Sequence, residues 1–274
     1  MSLSFASLNS GSNGNCYYLG NEQDAVLIDA GLSCKETEKR MKVLGLSIRS
    51  IKAVFISHEH IDHIKGIEVL AKKYEIPIYI TTPTFENSRC PIPKAHVIWM
   101  KNDESIDIGN IKITAFSKYH DAADPTSFVV ECNKIKVGVF TDIGQVCENV
   151  KHHFQQCDAV FLEANYDREM LMNGHYPYSL KTRISGGNGH LSNDEALDLF
   201  LNHRTPKLKY LLLSHLSKEN NDPDLVKKLF ELNTTNTEII IASRYEPSLI
   251  YEVIHPSNKK AKINTNIKQL NLFD

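Results

Sequence analysis

Six consecutive residues, His58-Glu59-His60-Ile61-Asp62-His63, hold three histidines and an aspartate, in a chain with only 12 histidines over 274 residues. Imidazole and carboxylate are the side chains that bind zinc, manganese or iron, and a solvated charge cluster has no need of this spacing. The segment follows an apolar, β-branched run, Ala53-Val-Phe-Ile-Ser57, and precedes a helical pattern from Ile64 to Tyr74. It therefore reads as a strand-to-helix loop, the part of an α/β sheet that presents metals and substrates.

The same texture runs along the chain. Strand patterns at Ala25–Asp29, Pro77–Thr81, 111–116, 127–131, 136–141, 159–163, 209–214 and 238–243 alternate with helical patterns at 35–46, 145–154, 193–202 and 223–232. Many strands in two similar halves predict an α/β fold of two packed sheets with helices outside. At 42% hydrophobic residues, the chain can bury one large core. We expect a single domain over residues 1–255.

Further ligand-type residues stand at the ends of later strand patterns: His120, Asp142 and His215. A mixed sheet would deliver them to one edge. Taken singly, each could equally be a capping or surface residue. Asp29, which ends Val26-Leu-Ile-Asp29, reads by itself as a turn residue.

These segments resemble the metallo-β-lactamase superfamily, whose His-x-His-x-Asp-His signature is matched by His58, His60, Asp62 and His63. The resemblance implies an αββα sandwich and two divalent ions, zinc, manganese or iron. By position, His58, His60 and His120 would hold one ion, Asp62, His63 and His215 the other, and Asp142 would bridge. Asp29 would then brace the loop from behind the ligands, and Asp62 would take part in catalysis. Such a pair of ions acidifies a water and clamps the oxygens of a displacement. No Gly-x-Ser-x-Gly nucleophile motif accompanies it.

Within the superfamily, the chain is similar to the YycJ/WalJ group of bacterial DNA exonucleases. The likeness is carried by Ser10-Gly-Ser-Asn-Gly-Asn-Cys16, His120-Asp-Ala-Ala-Asp-Pro125, Thr141-Asp-Ile-Gly144, Leu162-Glu-Ala-Asn165, Gly189-His-Leu-Ser-Asn193 and Leu213-Ser-His-Leu-Ser-Lys-Glu-Asn220. It implies a DNA phosphodiesterase cutting from 5′ ends in replication or repair. Glu163 and Gly189-His190 also resemble motifs of the β-CASP nucleases, but the stretch between Asp142 and His190 is too short for their inserted cap domain. His190, oriented by Glu163, would protonate the leaving oxygen; alternatively it caps the next helix with Ser192. A hydrolase of small thioesters, lactones or lactams is the rival reading, because the same site chemistry attacks carbonyls.

The Gly11-Ser-Asn-Gly14 stretch lies between two strand patterns and suits a hairpin turn; no helix follows, so it is no P-loop. Ser10, Ser12 and Asn13 are candidate phosphate contacts from that turn. Lys181 and Arg183 could neutralise phosphates or form a solvated helix face. A net charge of −2 excludes a globally basic binder, though ions and a local patch can supply the positive field.

Six scattered cysteines (Cys16, Cys34, Cys90, Cys132, Cys147, Cys157) form no Cys-x-x-Cys pair and read as reduced packing residues. With no signal-peptide pattern and no membrane-length apolar run, we expect a cytoplasmic enzyme. Residues 256–274 turn Asn-, Lys- and Thr-rich and end in Gln269-Leu-Asn-Leu-Phe273. Gln269, Leu270, Leu272 and Phe273 resemble the peptide by which bacterial proteins bind the DNA sliding clamp; otherwise they would pack back on the domain.

Overall fold

The computed structural model describes residues 2–254. The expected tail and its motif, Gln269 to Phe273, lie outside the described residues. Two seven-stranded mixed sheets stack face to face. In spatial order the first sheet contains Tyr251–Ile254, Ser2–Asn9, Cys16–Gly20, Ala25–Ile28, Ile51–Phe55, Ile78–Ile80 and Val97–Trp99. The second contains Glu238–Ile241, Tyr210–Ser214, Ala159–Glu163, Ile135–Phe140, Thr126–Cys132, Ile111–Ser117 and Ser105–Ile108. Helices cover both outer faces, which gives the αββα sandwich.

The near-continuous apolar runs are explained by burial on both faces of each sheet. Successive side chains of a strand point to opposite sides. Thus Tyr17 and Leu19 enter the core between the sheets, whereas Cys16 and Tyr18 meet the helices Cys34–Val43 and Ile67–Tyr74. Phe161 and Leu212 face the same central core from the second sheet. Their neighbours Val160, Leu211 and Leu213 pack under Glu148–Phe154, Asn193–His203 and Pro223–Glu231. The central core is strongly aromatic, with Tyr17 tilted against Phe161 at 4.8 Å and Phe55 stacked on Tyr79 at 4.6 Å. Aromatic pairs at this spacing add attraction beyond simple area burial.

Parallel pairing aligns the strand ends. Ile51–Phe55 pairs parallel to Ala25–Ile28, and Ala159–Glu163 pairs parallel to both Ile135–Phe140 and Tyr210–Ser214. The residues just past these strands therefore emerge at a common edge. Three of them, Asp29, Asp142 and His215, have φ of 62°, 54° and 55°. L-residues avoid this left-handed region at roughly 1–2 kcal/mol each, so surrounding bonds must hold them there.

One expected element is interrupted. The pattern from Ile64 to Tyr74 is two helices, Ile61–Ile64 and Ile67–Tyr74, parted at Gly66. Gly66 donates to the Ala30 carbonyl, and a Cβ there would collide with the Leu32 carbonyl oxygen. A continuous helix would have no room for this crossing of the 29–32 turn. Gly31 makes the reciprocal approach: a Cβ on it would strike the Asp62 carbonyl, and its amide donates to Asn15. We expect Gly31→Ala to displace the 58–63 loop and lower stability by about 1–3 kcal/mol. Urea unfolding together with metal analysis checks this, with both stability and metal content falling.

Candidate metal centre

The side chains of the 58–63 loop, His120, Asp142 and His215 converge at the aligned strand ends. Their ligand atoms form overlapping groups within 4.8 Å: His58, His60 and His120; His58, His63 and Asp142; and Asp62, His63 and His215. His58 and His63 are fully buried, and His120, Asp142 and His215 nearly so.

Each buried imidazole is fixed through Nδ1. That atom of His63 lies 2.7 Å from Asp29 Oδ2, that of His58 2.9 Å from Ser57 Oγ, and that of His120 2.9 Å from the Gly189 carbonyl. His215 Nδ1 lies 3.1 Å from Glu163 Oε1. The opposite nitrogens, Nε2 of His58, His120 and His215, are buried without a hydrogen-bond partner, as is Asp142 Oδ2. Leaving a polar atom buried and unsatisfied costs roughly 1–3 kcal/mol, and here four such atoms point into one space. Residues of this chemistry, aimed in this way, fit divalent metal ions.

The charge balance matches. Burial opposes the charge on His63, yet Asp142, Asp29 and Asp62 raise its pKa well above the ordinary value. His215 is likewise pushed up to about 10, with burial opposing and Asp142, Asp62 and Glu163 prevailing. Burial dominates at His58 and His120, whose imidazoles are lowered, the latter to about 4. Asp142 stays ionised because His215 and His63 outweigh its burial.

Two carboxylates organise the ligands, one from each sheet. Asp29 accepts from the Ser57 amide and hydroxyl, both at 2.8 Å, besides meeting His63. Glu163 accepts from the amides of Ile143 and Leu191 through Oε2 and meets His190 and His215 through Oε1. Both Glu163 oxygens are thus engaged by protein, so it works as an organiser of imidazoles. Burial opposes its charge, but His190 and its hydrogen bonds bring its pKa down to about 2. Because Glu163 is ionised, His190 donates from Nδ1 at 2.8 Å and keeps Nε2 for another partner. The helix that follows is capped by Ser192 with Glu195 in a capping box, while the His190 side chain turns to Glu163.

Several residues escaped the sequence reading. Asn15 Nδ2 lies 3.0 Å from His63 Nε2 and 3.1 Å from Asp62 Oδ2. Its signal was the Gly14-Asn15-Cys16 stretch, which the hairpin reading absorbed. Lys118 is buried and donates to the Thr141 carbonyl at 2.5 Å, holding the residue before Asp142. Burial lowers its pKa, although Asp142 works against that. Asn165 Nδ2 donates to the His215 carbonyl at 2.7 Å. Nothing in the local sequence of Lys118 or Asn165 marks these roles.

The candidate substrate contacts divide. Ser10 is buried, and its hydroxyl accepts from the His215 amide at 2.7 Å while meeting Tyr17 OH at 2.8 Å, so it faces the protein. Ser12 and Asn13 are exposed and hydrogen-bond Arg244. Lys181 lies on the helix Tyr178–Ser185 and donates to the Met172 carbonyl. Arg183 lines a cleft of about 550 Å³ beside the centre, walled also by Glu59, His60, Asp62, Asp121 and Arg89. There it pairs with Asp121.

This fold and this set of ligands define a metal-dependent hydrolase. The chain belongs to the metallo-β-lactamase superfamily: the family model described as the beta-lactamase superfamily domain matches residues 24–215. It is 36% identical over 230 residues to "Exodeoxyribonuclease YycJ" of Bacillus anthracis, covering 83% of this chain and 87% of that protein. It is 33% identical over 239 residues to "Exodeoxyribonuclease WalJ" of Streptococcus pneumoniae, covering 85% and 87%. Among solved structures, the metallo-β-lactamase fold protein YhfI from Bacillus subtilis superposes with a TM-score of 0.71 at 19% identity, covering 92% of this chain and all of that one. The short form of human tRNase Z gives 0.61 at 17%, covering 90% and 99%. These two likenesses concern the fold.

Asp29 touches no reacting atom in this arrangement; it only orients His63 and the loop. We expect Asp29→Ala to weaken metal affinity by roughly 10–100-fold, measured by competition with a chromophoric chelator. An unchanged affinity would remove Asp29 from the organising role.

Proposed function

We propose that the chain is a dinuclear metal-dependent phosphodiesterase that removes nucleotides from DNA 5′ ends, in the cytoplasm, during replication or repair. The observation that carries the reading is the His190–Glu163 pair beside the metal cluster. A sugar alkoxide leaves poorly unless it is protonated as the P–O bond breaks, and an imidazole held on a carboxylate is placed to supply that proton. The exodeoxyribonuclease names of the relatives support the same substrate.

His58, His60 and His120 would hold one ion, Asp62, His63 and His215 the second, with Asp142 between them. Bound there, two divalent ions supply an acidified water and charge neutralisation at the phosphate. The chain's own part is positional. Asp29 keeps His63, and Glu163 keeps His215, in the tautomer that turns Nε2 toward the centre. His190 holds its Nδ1 proton on Glu163, so its Nε2 is the atom that hands a proton to the leaving oxygen. Arg89 and Arg183 line the cleft through which the strand approaches. Zinc, manganese and iron all suit this donor set.

Digestion of end-labelled duplex and single-stranded DNA tests the reading, alongside metal analysis. We expect Asp142→Ala to abolish cutting and reduce bound metal. His190→Ala should slow turnover by roughly 10²–10⁴-fold with metal content intact. Hydrolysis of small acyl esters in place of DNA would overturn the proposal.

The tail supports a second element of the reading. On sequence alone, Gln269, Leu270, Leu272 and Phe273 form a short peptide that would tether the enzyme to the DNA sliding clamp, its apolar side chains filling pockets on the clamp. Removing residues 256–274 is expected to abolish clamp binding in surface plasmon resonance while cleavage of short DNA stays unchanged. Undiminished clamp binding by the truncated chain would discard the tether.

A further inference from the structure

Beside the centre lies a second cavity, of about 280 Å³. Leu216, Ile241 and Ala242 give it an apolar floor, and Lys218, Arg244 and Tyr245 stand at its rim. Its link to the centre is direct: Leu216 follows His215, and the wall residue Ser10 accepts the His215 amide. It shares no wall residue with the larger charged cleft that begins at His60 and Asp62. The two cavities border different parts of the cluster.

Arg244 is built into position. Gly11, with φ of 139°, lets the turn pass against its side chain. Asn13 donates to its carbonyl at 2.9 Å, and its Nη2 donates to Ser12 Oγ at 3.0 Å. Its Nη1 is buried without a partner, and no carboxylate among the described residues lies within ion-pair distance. Tyr245 is 72% exposed, yet its backbone is pinned by Ser243 Oγ and by Arg40 Nη2. The result is an anchored cation and an exposed aromatic side chain on a pinned backbone, beside an apolar floor.

A nucleotide satisfies all three features at once: a phosphate for the unpaired guanidinium, a π-face for the tyrosine, and an apolar base edge for the floor. We propose that this cavity seats the terminal nucleotide of the strand being cut, with its base against Tyr245 and the floor and a phosphate on Arg244. The inference rests on the nuclease reading above and deepens it. A volume just below the roughly 300 Å³ at which small-ligand pockets begin admits one nucleotide rather than a run. His190 stacks on His215, the residue before the wall residue Leu216, with ring centroids 5.2 Å apart, so a fragment seated here would present its leaving oxygen on the side of His190.

The test uses oligonucleotides whose 5′-terminal nucleotide either carries or lacks its base, with a label at the 3′ end. The intact chain should cut the first bond roughly tenfold faster when the base is present. Tyr245→Ala should lose that preference. Arg244→Ala should keep it but raise KM and reduce the salt slope by about 1, with metal content unchanged. If Tyr245→Ala still discriminates and Arg244→Ala matches the parent in KM and salt slope, this inference falls and the nuclease reading stands. If the intact metal-loaded chain cuts no DNA, both fall.

Discussion

Burying many imidazoles and carboxylates at one sheet edge is possible only because each imidazole is tied by Nδ1 to a fixed acceptor. Asp29 provides this for His63 and, through the Ser57 hydroxyl, for His58; Glu163 provides it for His215, and the Gly189 carbonyl for His120. Each carboxylate also takes backbone amides, from Ser57 in one case and from Ile143 and Leu191 in the other. The organising bonds therefore run from ligand to backbone to sheet. Remove that connection, and neither the left-handed turns at Asp29, Asp142 and His215 nor the unpartnered Nε2 atoms would be sustained. Strain at the turns and orphaned atoms in the centre are two faces of one arrangement, stabilised by metal and by the bulk of the sandwich behind it.

How much of this was legible follows from what each element buries. Strands such as Ala159–Glu163, apolar on both faces, announce themselves as β-branched runs. Edge strands do not. Ser105–Ile108 and Val97–Trp99 are half exposed and short, and Tyr251–Ile254 alternates without a strong apolar face. The helix Tyr178–Ser185 buries no residue, so it leaves no amphipathic stripe to read. The cluster was legible because imidazoles and carboxylates gathered in one loop have few other uses. Lys118, Asn165 and Arg244 were not, because their roles depend on contacts with residues far away in the chain.

The turn at residues 10–14 shows how short polar side chains at the mouth of a site also serve the fold. Ser10 holds the His215 amide, Ser12 and Asn13 the arginine Arg244, and Asn15 the 58–63 loop. A guanidinium anchored in this way would lose less entropy on binding an anion than a free one.

A chain of net charge −2 can still act on a polyanion if its cations are placed rather than numerous. Two divalent ions in the centre would contribute more local charge than any surface lysine patch, in a site where burial weakens screening. Arg89 and Arg183 border one cavity and Arg244 and Lys218 the other. Such placement would draw a strand toward the centre without a basic surface. An enzyme confined to ends needs this economy of charge, since a basic surface would hold it on internal DNA that it cannot cut.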